Sequence, residues 1–215
     1  MIPRRTLLGM GLLGAAATIS VGLVCTPTTA NPGVQARIGA AAPAFALTDT
    51  SGKSVSLADF KGKHVVLEWV NPGCPFVQKH YNSANMPGTQ KAVTSQGVVW
   101  LAVNSTHAAA SDYMAPAALG GWMKDKGGTP TATLMDADGK VGHAYGARTT
   151  PHMYVIDPSG KLVYAGAIDS KPSANPADIK TATNYVKQAV GESLAGRPVS
   201  VATTQAYGCS VKYSD

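Results

Sequence analysis

The most informative part of the sequence is residues 64–70, HVVLEWV, followed by residues 71–75, NPGCP. The first seven residues are nearly all apolar and predict a buried strand, and Asn, Pro and Gly then predict a turn. Pro75 suits the first turn of a helix, where its missing N–H costs nothing. The unpaired amides of a helix start favour a thiolate, which is the reactive form of cysteine. The sequence therefore places the Cys74 thiol where the backbone can activate it.

The 215 residues are enough for a leader and one domain with a sizeable core. Residues 1–30 predict an export signal, because Arg4-Arg5 precedes an apolar stretch from Leu7 to Val24 and small residues follow at 28–30. An uncleaved transmembrane anchor is the alternative, since the apolar stretch is long enough to span a bilayer. We expect a periplasmic or secreted protein that contacts the membrane only if the leader stays attached.

Beyond the leader, two cysteines remain, Cys74 and Cys209, and two thiols in an exported chain suggest a disulfide. Without the two arginines of the leader the net charge falls from +6 to +4, and it is scattered, without a block of Lys and Arg, so a nucleic-acid role has little support. No glycine-rich phosphate loop follows a strand, and the paired cysteines of copper-handling proteins are missing. We therefore expect neither an organic cofactor nor a metal.

The predicted elements alternate between strand and helix along the chain. Residues 31–42 are predicted to be a linker, residues 43–194 a single domain, and residues 195–215 a tail without strong periodicity. The predicted strands are 43–47 and 54–57 as a hairpin, 64–70, 98–103, 131–135, and 153–156 and 161–165 as a second hairpin. The predicted helices are 75–85, a second piece ending by 97, 111–126, 140–146 and 177–194. This order predicts an α/β fold with a central sheet flanked by helices.

Four landmarks carry a family resemblance: APAFAL at 42–47, the strand-to-Cys74 junction, TTPHMYVID at 149–157 and YGCSVKY at 207–213. With them the chain resembles the thioredoxin-like superfamily over about residues 38–190. Within it, the chain is similar to exported redoxin-domain proteins of the alkyl hydroperoxide reductase/thiol-specific antioxidant (peroxiredoxin-like) and TlpA-like group. The resemblance implies a thioredoxin-like fold with a central mixed β-sheet, an N-terminal β-hairpin and a C-terminal tail that carries Cys209.

Several positions depart from the family patterns. The second cysteine of thioredoxins is replaced by Val77, and the Thr or Ser that peroxiredoxins place three residues before their cysteine is Asn71. Leu67 occupies the position of the upstream proline of peroxiredoxins. Pro151 occupies the position of their activating arginine, and Arg148 lies nearby in the sequence. These departures count against a peroxidase more than against the fold.

Cys74 is the predicted nucleophile, and Cys209 is the predicted resolving cysteine, which would attack oxidised Cys74 and form an internal disulfide. A permanent structural bridge and two unconnected thiols are the alternatives. The resemblance also implies that the bond before Pro151 is cis and that Thr150, Pro151 and Pro75 line the substrate site, because this loop faces the cysteine in related proteins.

Glu68 is the third predicted catalytic residue. Strand alternation puts Val66, Glu68 and Val70 on one face. A carboxyl group on a covered strand is desolvated, which raises its pKa, and such a group could move protons to or from Cys74. Its position, six residues before Cys74, matches the buried acid of thioredoxins. The alternative is a carboxylate at the rim, paired with a lysine.

The leading hypothesis is an exported thiol oxidoreductase in which Cys74 attacks a protein disulfide or a peroxide, Cys209 resolves and Glu68 handles protons. The reducing partner is unknown. The alternative hypothesis is a non-catalytic redoxin scaffold that binds a protein or a metal, with Cys74–Cys209 as a fixed disulfide. The missing second motif cysteine and the missing peroxidatic threonine motivate this alternative.

Overall fold

The structure is a computed structural model that describes residues 1–2 and 35–214. The predicted leader, apart from its first two residues, and the first part of the predicted linker lie outside the described residues. Among the helices that are described, none combines the length and the apolar composition that crossing a bilayer requires.

Residues 35–214 form nine strands, five α-helices and two short 3₁₀ helices. The strands are β1 (Ala46–Asp49), β2 (Ser54–Ser56), β3 (Val65–Trp69), β4 (Val99–Asn104), β5 (Ala132–Met135), β6 (Thr149–Thr150), β7 (His152–Ile156), β8 (Leu162–Gly166) and β9 (Cys209–Ser210). The α-helices are α1 (Pro75–Asn82), α2 (Asn85–Thr94), α3 (Pro116–Asp125), α4 (Lys140–Tyr145) and α5 (Tyr185–Leu194). The 3₁₀ helices are Leu57–Phe60 and Pro176–Thr181.

Seven of the strands form one mixed sheet in the order β2-β1-β5-β4-β3-β7-β8. Strand β3 is parallel to β4 and antiparallel to β7, and β4 is parallel to β5. Helices α1, α2 and α5 supply one apolar cluster against the sheet, and α4 and the first 3₁₀ helix supply the cluster on the other face. The predicted α/β class, with a mixed central sheet between helices, is confirmed.

Strand β3 is buried along its whole length because it pairs on both edges and is covered on both faces. Val66, and Val70 just beyond the end of the strand, pack in the apolar cluster under α1. Val65 and Leu67 pack in the apolar cluster on the opposite face of the sheet. A strand in this position must be apolar on both sides, which explains the continuous run that the sequence shows. Its carboxyl end is the point from which the chain turns into α1.

Three predicted boundaries were wrong. The first strand begins at Ala46 rather than at residue 43 and continues to Asp49. The helix predicted for 111–126 begins only at Pro116, because proline is favoured in the first turn and the residue before it is kept out of the helical region. The helix predicted for 177–194 is divided into a 3₁₀ helix and α5, whose first turn is capped by the Asn184 side chain through the Lys187 amide.

The helical region after Cys74 consists of two helices, as predicted. The first ends at Asn82, and the break falls at Ala84, which has a positive φ of 57°. Pro87 then lies in the first turn of α2, where the backbone amides have no partner inside the helix and a missing N–H costs little.

Candidate active site

Cys74 is the residue that caps the start of α1, directly beyond the carboxyl end of β3. Pro75 is the first residue of the helix and is exposed at its rim. The Cys74 side chain is only 2% exposed and packs with Val70 and Val77 in the cluster beneath α1. The predicted strand–turn–helix placement of this thiol is confirmed, and the thiol itself is more deeply covered than the resemblance alone indicated.

The turn before Cys74 is built by the side chain of Asn71. Its Oδ1 accepts the Gly73 amide at 2.8 Å, and its Nδ2 donates to Thr106 at 3.2 Å and to Asp112 at 2.9 Å. The Asn71 carbonyl accepts the Cys74 amide at 3.1 Å. The residue that stands in place of the peroxiredoxin Thr or Ser therefore shapes the loop, and its side-chain hydrogen bonds do not involve the sulfur.

The Thr150–Pro151 bond is cis, as the resemblance implied, and the loop faces Cys74. The Cys74 thiol donates to the Thr150 carbonyl over 2.9 Å. Both Thr150 and Pro151 are buried. The loop that was predicted to receive substrate is thus in direct contact with the nucleophile and covered from solvent.

What covers the loop is the C-terminal tail, residues 195–215. Strand β9 pairs antiparallel with β6, and the register sets Cys209 opposite Thr150. Gly208 passes so close to the loop that a Cβ there would lie 2.1 Å from the Thr150 carbonyl oxygen, and its φ is 140°. Only glycine fits both the space and the backbone angle. No periodic pattern marks this segment in the sequence, and β9 was not predicted.

Cys74 and Cys209 therefore meet at Thr150 although 135 residues separate them in the chain. Both are free thiols, Cys74 buried and Cys209 half-buried. Burial and the neighbouring Cys74 thiol raise the pKa of Cys209 to about 12; Asp112 acts in the same direction and Lys212 opposes it. The two thiols are close together, and the disulfide expected between them stays a prediction.

A buried polar cluster fastens the tail to α1. The Tyr207 hydroxyl donates to Asp169, and His80 Nε2 lies 3.2 Å from the same hydroxyl and 4.0 Å from Asp169. Asn85 donates to His80 Nδ1 at 2.8 Å, which assigns the proton of the neutral ring to Nε2. Burial lowers the pKa of His80 to about 4, so the ring is uncharged at neutral pH.

The tail has further attachments on the other side of Cys209. The Val211 amide donates to the Arg148 carbonyl at 3.0 Å, and the Lys212 carbonyl accepts the His107 amide at 2.9 Å. The Tyr213 ring stacks on His143 with centroids 4.0 Å apart, and its hydroxyl donates to the Ala147 carbonyl. Cys209 is therefore held from both sides in the position next to Cys74.

Glu68 is completely buried, which excludes the rim alternative for this carboxylate. Tyr81 donates to one of its oxygens at 2.8 Å, and Gln90 and Trp100 donate to the other at 3.0 and 2.8 Å. Burial raises the pKa of Glu68 to about 7 against the lowering effect of these hydrogen bonds. None of the described hydrogen bonds joins Glu68 to Cys74, so the carboxylate is near the site without touching the sulfur.

Residues 1–2 and 35–214 contain no group of three or more His, Cys, Asp or Glu side chains arranged to hold a metal ion. His152, which follows the cis proline, contacts the Tyr154 hydroxyl at 3.2 Å and the Arg148 amide at 3.3 Å. Together with Arg148 and residues 203–206 it lines a cavity of about 540 Å³. These side chains are therefore engaged away from the two thiols.

Fold and site together define a thioredoxin-like redoxin-domain protein, with its nucleophile at a strand–helix junction and a cis proline facing it. The model of the AhpC/TSA family matches residues 38–165, and the chain belongs to this family.

The chain is 34% identical over 125 residues to the thiol-disulfide oxidoreductase ResA of Bacillus subtilis strain 168. The match covers 58% of this chain and 64% of that protein, so the chain spans less than two thirds of the relative's length. The protein of the same name from Bacillus cereus is 28% identical over 126 residues, with 59% of this chain and 67% of that protein covered.

Solved structures agree with the fold. A hypothetical protein from Sinorhizobium meliloti 1021 superposes with a TM-score of 0.68 at 28% identity and covers 83% of this chain and 95% of its own. An uncharacterized conserved protein from Geobacillus kaustophilus gives a TM-score of 0.68 at 29% identity, covering 83% and 93%. A putative thiol:disulfide interchange protein DsbE from Chlorobium tepidum, at 22% identity and a TM-score of 0.55, covers 74% and 99% and supports the fold alone.

Proposed function

We propose that this chain is a thiol–disulfide oxidoreductase whose redox pair is formed by Cys74 and Cys209. The observation that carries the proposal is the meeting of the two thiols at Thr150, where Cys74 donates to the carbonyl and Cys209 lies opposite in the β6–β9 ladder. Membership of the AhpC/TSA family and the similarity to proteins named thiol-disulfide oxidoreductases support this class of chemistry.

The reaction runs in two exchange steps. The Cys74 thiolate attacks a substrate disulfide, forms a mixed disulfide and releases the first substrate thiol. Cys209 then attacks the Cys74 sulfur, releases the second substrate thiol and leaves the Cys74–Cys209 disulfide. An external dithiol reduces this disulfide and completes the cycle. In this scheme Cys209 replaces the second motif cysteine, whose position is occupied by Val77.

The substrate site in this proposal is formed by Pro75, Thr150 and Pro151. Pro75 is accessible in the docked state of the tail, whereas Thr150 and Pro151 are covered by it. A protein substrate would pair with the β6 edge only after β9 has moved away from it. The tail is then both the carrier of the resolving thiol and the segment that controls access to the loop.

Glu68 acts on this pair through its charge rather than through contact. Both of its oxygens are occupied by three donors, and two of those donors, Tyr81 and Trp100, belong to the same cluster as Cys74. Because the pKa of Glu68 is raised to about 7, the carboxyl group exchanges its proton in the neutral range. The charge of this buried carboxyl group therefore changes within the pH range in which the proposed exchange would take place.

Peroxide reduction is the second candidate, and the observation in its favour is the 2% exposure of Cys74 under a docked tail. A peroxide molecule is small enough to reach a thiol that a folded protein cannot reach. Cys74 would be oxidised to a sulfenic acid, and Cys209 would condense with it to the same disulfide and release water.

The non-catalytic alternative uses the same two residues as a fixed bridge. Hydrogen bonds from Tyr207 and Tyr213 already hold the tail in place without a disulfide. A structural disulfide would strengthen this attachment. A permanent bridge resists mild reductants and has a potential below about −300 mV, whereas a working pair is reduced more easily.

The test compares the wild-type chain with Cys74→Ser and Cys209→Ser in two assays, reduction of a protein disulfide and consumption of peroxide, each with a dithiol reductant supplied. We expect the wild-type chain to reduce the protein disulfide and Cys74→Ser to be inactive. Cys209→Ser should stop after the first exchange step, with the substrate still bound to Cys74 as a mixed disulfide. Activity in the peroxide assay alone would select the second candidate. If the wild-type chain is inactive in both assays, the enzyme proposal fails.

Export through a cleaved leader is also proposed, on the sequence of residues 1–30 alone. N-terminal sequencing of the protein from a bacterial periplasm tests it. A mature chain that begins near residue 31 supports export, and a full-length chain in the membrane fraction supports the anchor.

A further inference from the structure

The loop of residues 105–115 lies between the two segments that carry the cysteines. On one side it approaches the turn before Cys74 so closely that a Cβ on Gly73 would lie 2.9 Å from the Asp112 Cβ. On the other side the His107 amide donates to the Lys212 carbonyl in the tail at 2.9 Å. The loop therefore contacts both the turn before Cys74 and the tail that carries Cys209.

Asp112 lies in this loop, and its two oxygens have different surroundings. Its Oδ2 accepts the Asn71 amide at 2.9 Å, which fixes the carboxylate against the turn. Its Oδ1 is buried and has no hydrogen-bond partner among the residues that the structure describes. A buried carboxylate oxygen with a free lone pair calls for an explanation, because such atoms are nearly always paired.

Asp112 and Glu68 differ in the hydrogen bonds that their carboxylate oxygens accept. Each oxygen of Glu68 accepts at least one hydrogen bond, whereas Asp112 Oδ1 accepts none among the described residues. A group that accepts a proton must offer a lone pair to the donor. Of these two acids, only Asp112 has an oxygen without a donor.

We propose that Asp112 is the proton acceptor for Cys209 in the resolving step. This inference rests on the proposed function of the cysteine pair. The Cys209 thiol gives its proton to Asp112 Oδ1 as its sulfur attacks Cys74 in the mixed disulfide. The bond between Cys74 and the substrate sulfur breaks, the substrate leaves as a thiolate, and Asp112 passes the proton to it or to solvent. One disulfide is formed and one is broken, so no further oxidant is needed.

The need for a base follows from the surroundings of Cys209. The charged and titratable groups that act on it are Cys74, Asp112 and Lys212. In the reduced protein, burial and Cys74 raise the pKa of Cys209 to about 12. Burial, the largest cause, remains when Cys74 is in the mixed disulfide, so the free thiolate of Cys209 stays disfavoured. A carboxylate that takes the proton during the attack removes this obstacle without requiring prior ionisation.

The experiment follows resolution directly. The reduced full-length protein is mixed with dithiobis(nitrobenzoate), an aromatic disulfide, and the coloured thiolate is recorded by stopped flow. The first release reports attack by Cys74, and the second reports attack by Cys209. The variants Cys74→Ser and Cys209→Ser assign the two phases. If Cys209→Ser keeps the second release, the proposed function itself fails, and the role of Asp112 fails with it.

Asp112→Asn is the informative variant because asparagine can still accept the Asn71 hydrogen bond through its own oxygen while it cannot accept the thiol proton. We expect the second release to slow about tenfold or more at pH 7, with the first release unchanged. The deficit should shrink as the pH rises, because hydroxide then removes the proton. Asp125→Asn, a change at an exposed aspartate on α3, is the matched control and should leave both phases unchanged.

The sign of the effect separates this role from the alternatives. If Asp112 acted only through its negative charge, its neutralisation would lower the pKa of Cys209 and accelerate the second release. If it only supported the loop, Asp112→Asn would leave the rate and its pH profile unchanged. Either result overturns the proposal.

Discussion

Replacing Glu68 with glutamine changes the pH dependence of stability in a way that can be worked out from the structure. Glutamine has nearly the same shape and no charge, so it imitates the protonated acid. Its oxygen can accept from Gln90 and Trp100, and its amide can donate to the Tyr81 oxygen, which is the pattern a protonated Glu68 would form. The substitution therefore removes the titration and keeps the packing.

The magnitude follows from the pKa of Glu68, which burial raises from an ordinary value of 4.5 to about 7. Because the pKa is higher in the folded state, the stabilising contribution of the protonated form is complete below about pH 4.5 and is lost as the pH rises through 7. A shift of this size corresponds to about 3 kcal/mol. Relative to the wild-type protein, Glu68→Gln should therefore gain up to about 3 kcal/mol between pH 4.5 and pH 8.

The assay is denaturant unfolding of the reduced protein followed by tryptophan fluorescence, at several pH values from 4.5 to 8. Burial also lowers the pKa of His80 and His152 to about 4, so both variants lose stability in acid from these rings. That loss cancels in the difference between Glu68→Gln and the wild type. Glu192→Gln is the control, since hydrogen bonds from Ser200 lower the pKa of this partly exposed carboxylate, so the small effect of the substitution should have the opposite sign.

A difference between Glu68→Gln and the wild type that stays constant from pH 4.5 to pH 8 would refute the assignment of a desolvated, titrating Glu68. A difference that grows in the opposite direction would show that the three hydrogen bonds stabilise the ionised form by more than burial costs it.

Two further predictions concern the tail. Gly208→Ala should prevent β9 from pairing with β6, because the added Cβ collides with the Thr150 carbonyl; trapping by alkylation should show Cys74–Cys209 disulfide formation slowed about tenfold or more. Gly196→Ala, at a positive φ of 68° with open space around it, is the control and should form the disulfide at the wild-type rate. Tyr207→Phe should cost about 1–3 kcal/mol of tail docking, since Asp169 loses a buried donor, and hydrogen exchange of residues 209–211 should rise; unchanged exchange would contradict this anchoring.

The centre of the fold could be predicted because its signals are local. The apolar run of β3, the turn residues and Pro75 lie within twelve consecutive residues, and each is typical of one structure. Strand alternation also predicted that Glu68 shares a face with Val66. Whether that face was covered depended on α1 and α2, which pack there through contacts that the strand's own sequence does not contain.

The tail and the loop of residues 105–115 could not be predicted in the same way. The position of Cys209 depends on contacts between residues far apart in the chain, such as Tyr207 with Asp169 and Gly208 with Thr150. Neither segment has a periodic pattern. Gly73 was the one local feature of the sequence that could have indicated the approach of the Asp112 loop, because a glycine beside the nucleophile is typical of a place where another part of the chain comes close.

A redox titration of the intact protein, in buffers of defined glutathione or dithiol ratio, tests whether Cys74 and Cys209 form a working redox pair; the thiols are trapped by alkylation and mapped by mass spectrometry. We expect one two-electron transition, in which a single disulfide joins Cys74 to Cys209 at a potential above about −300 mV. Two cysteines that remain unlinked at every ratio, or a bridge that survives excess dithiol without unfolding, would contradict it.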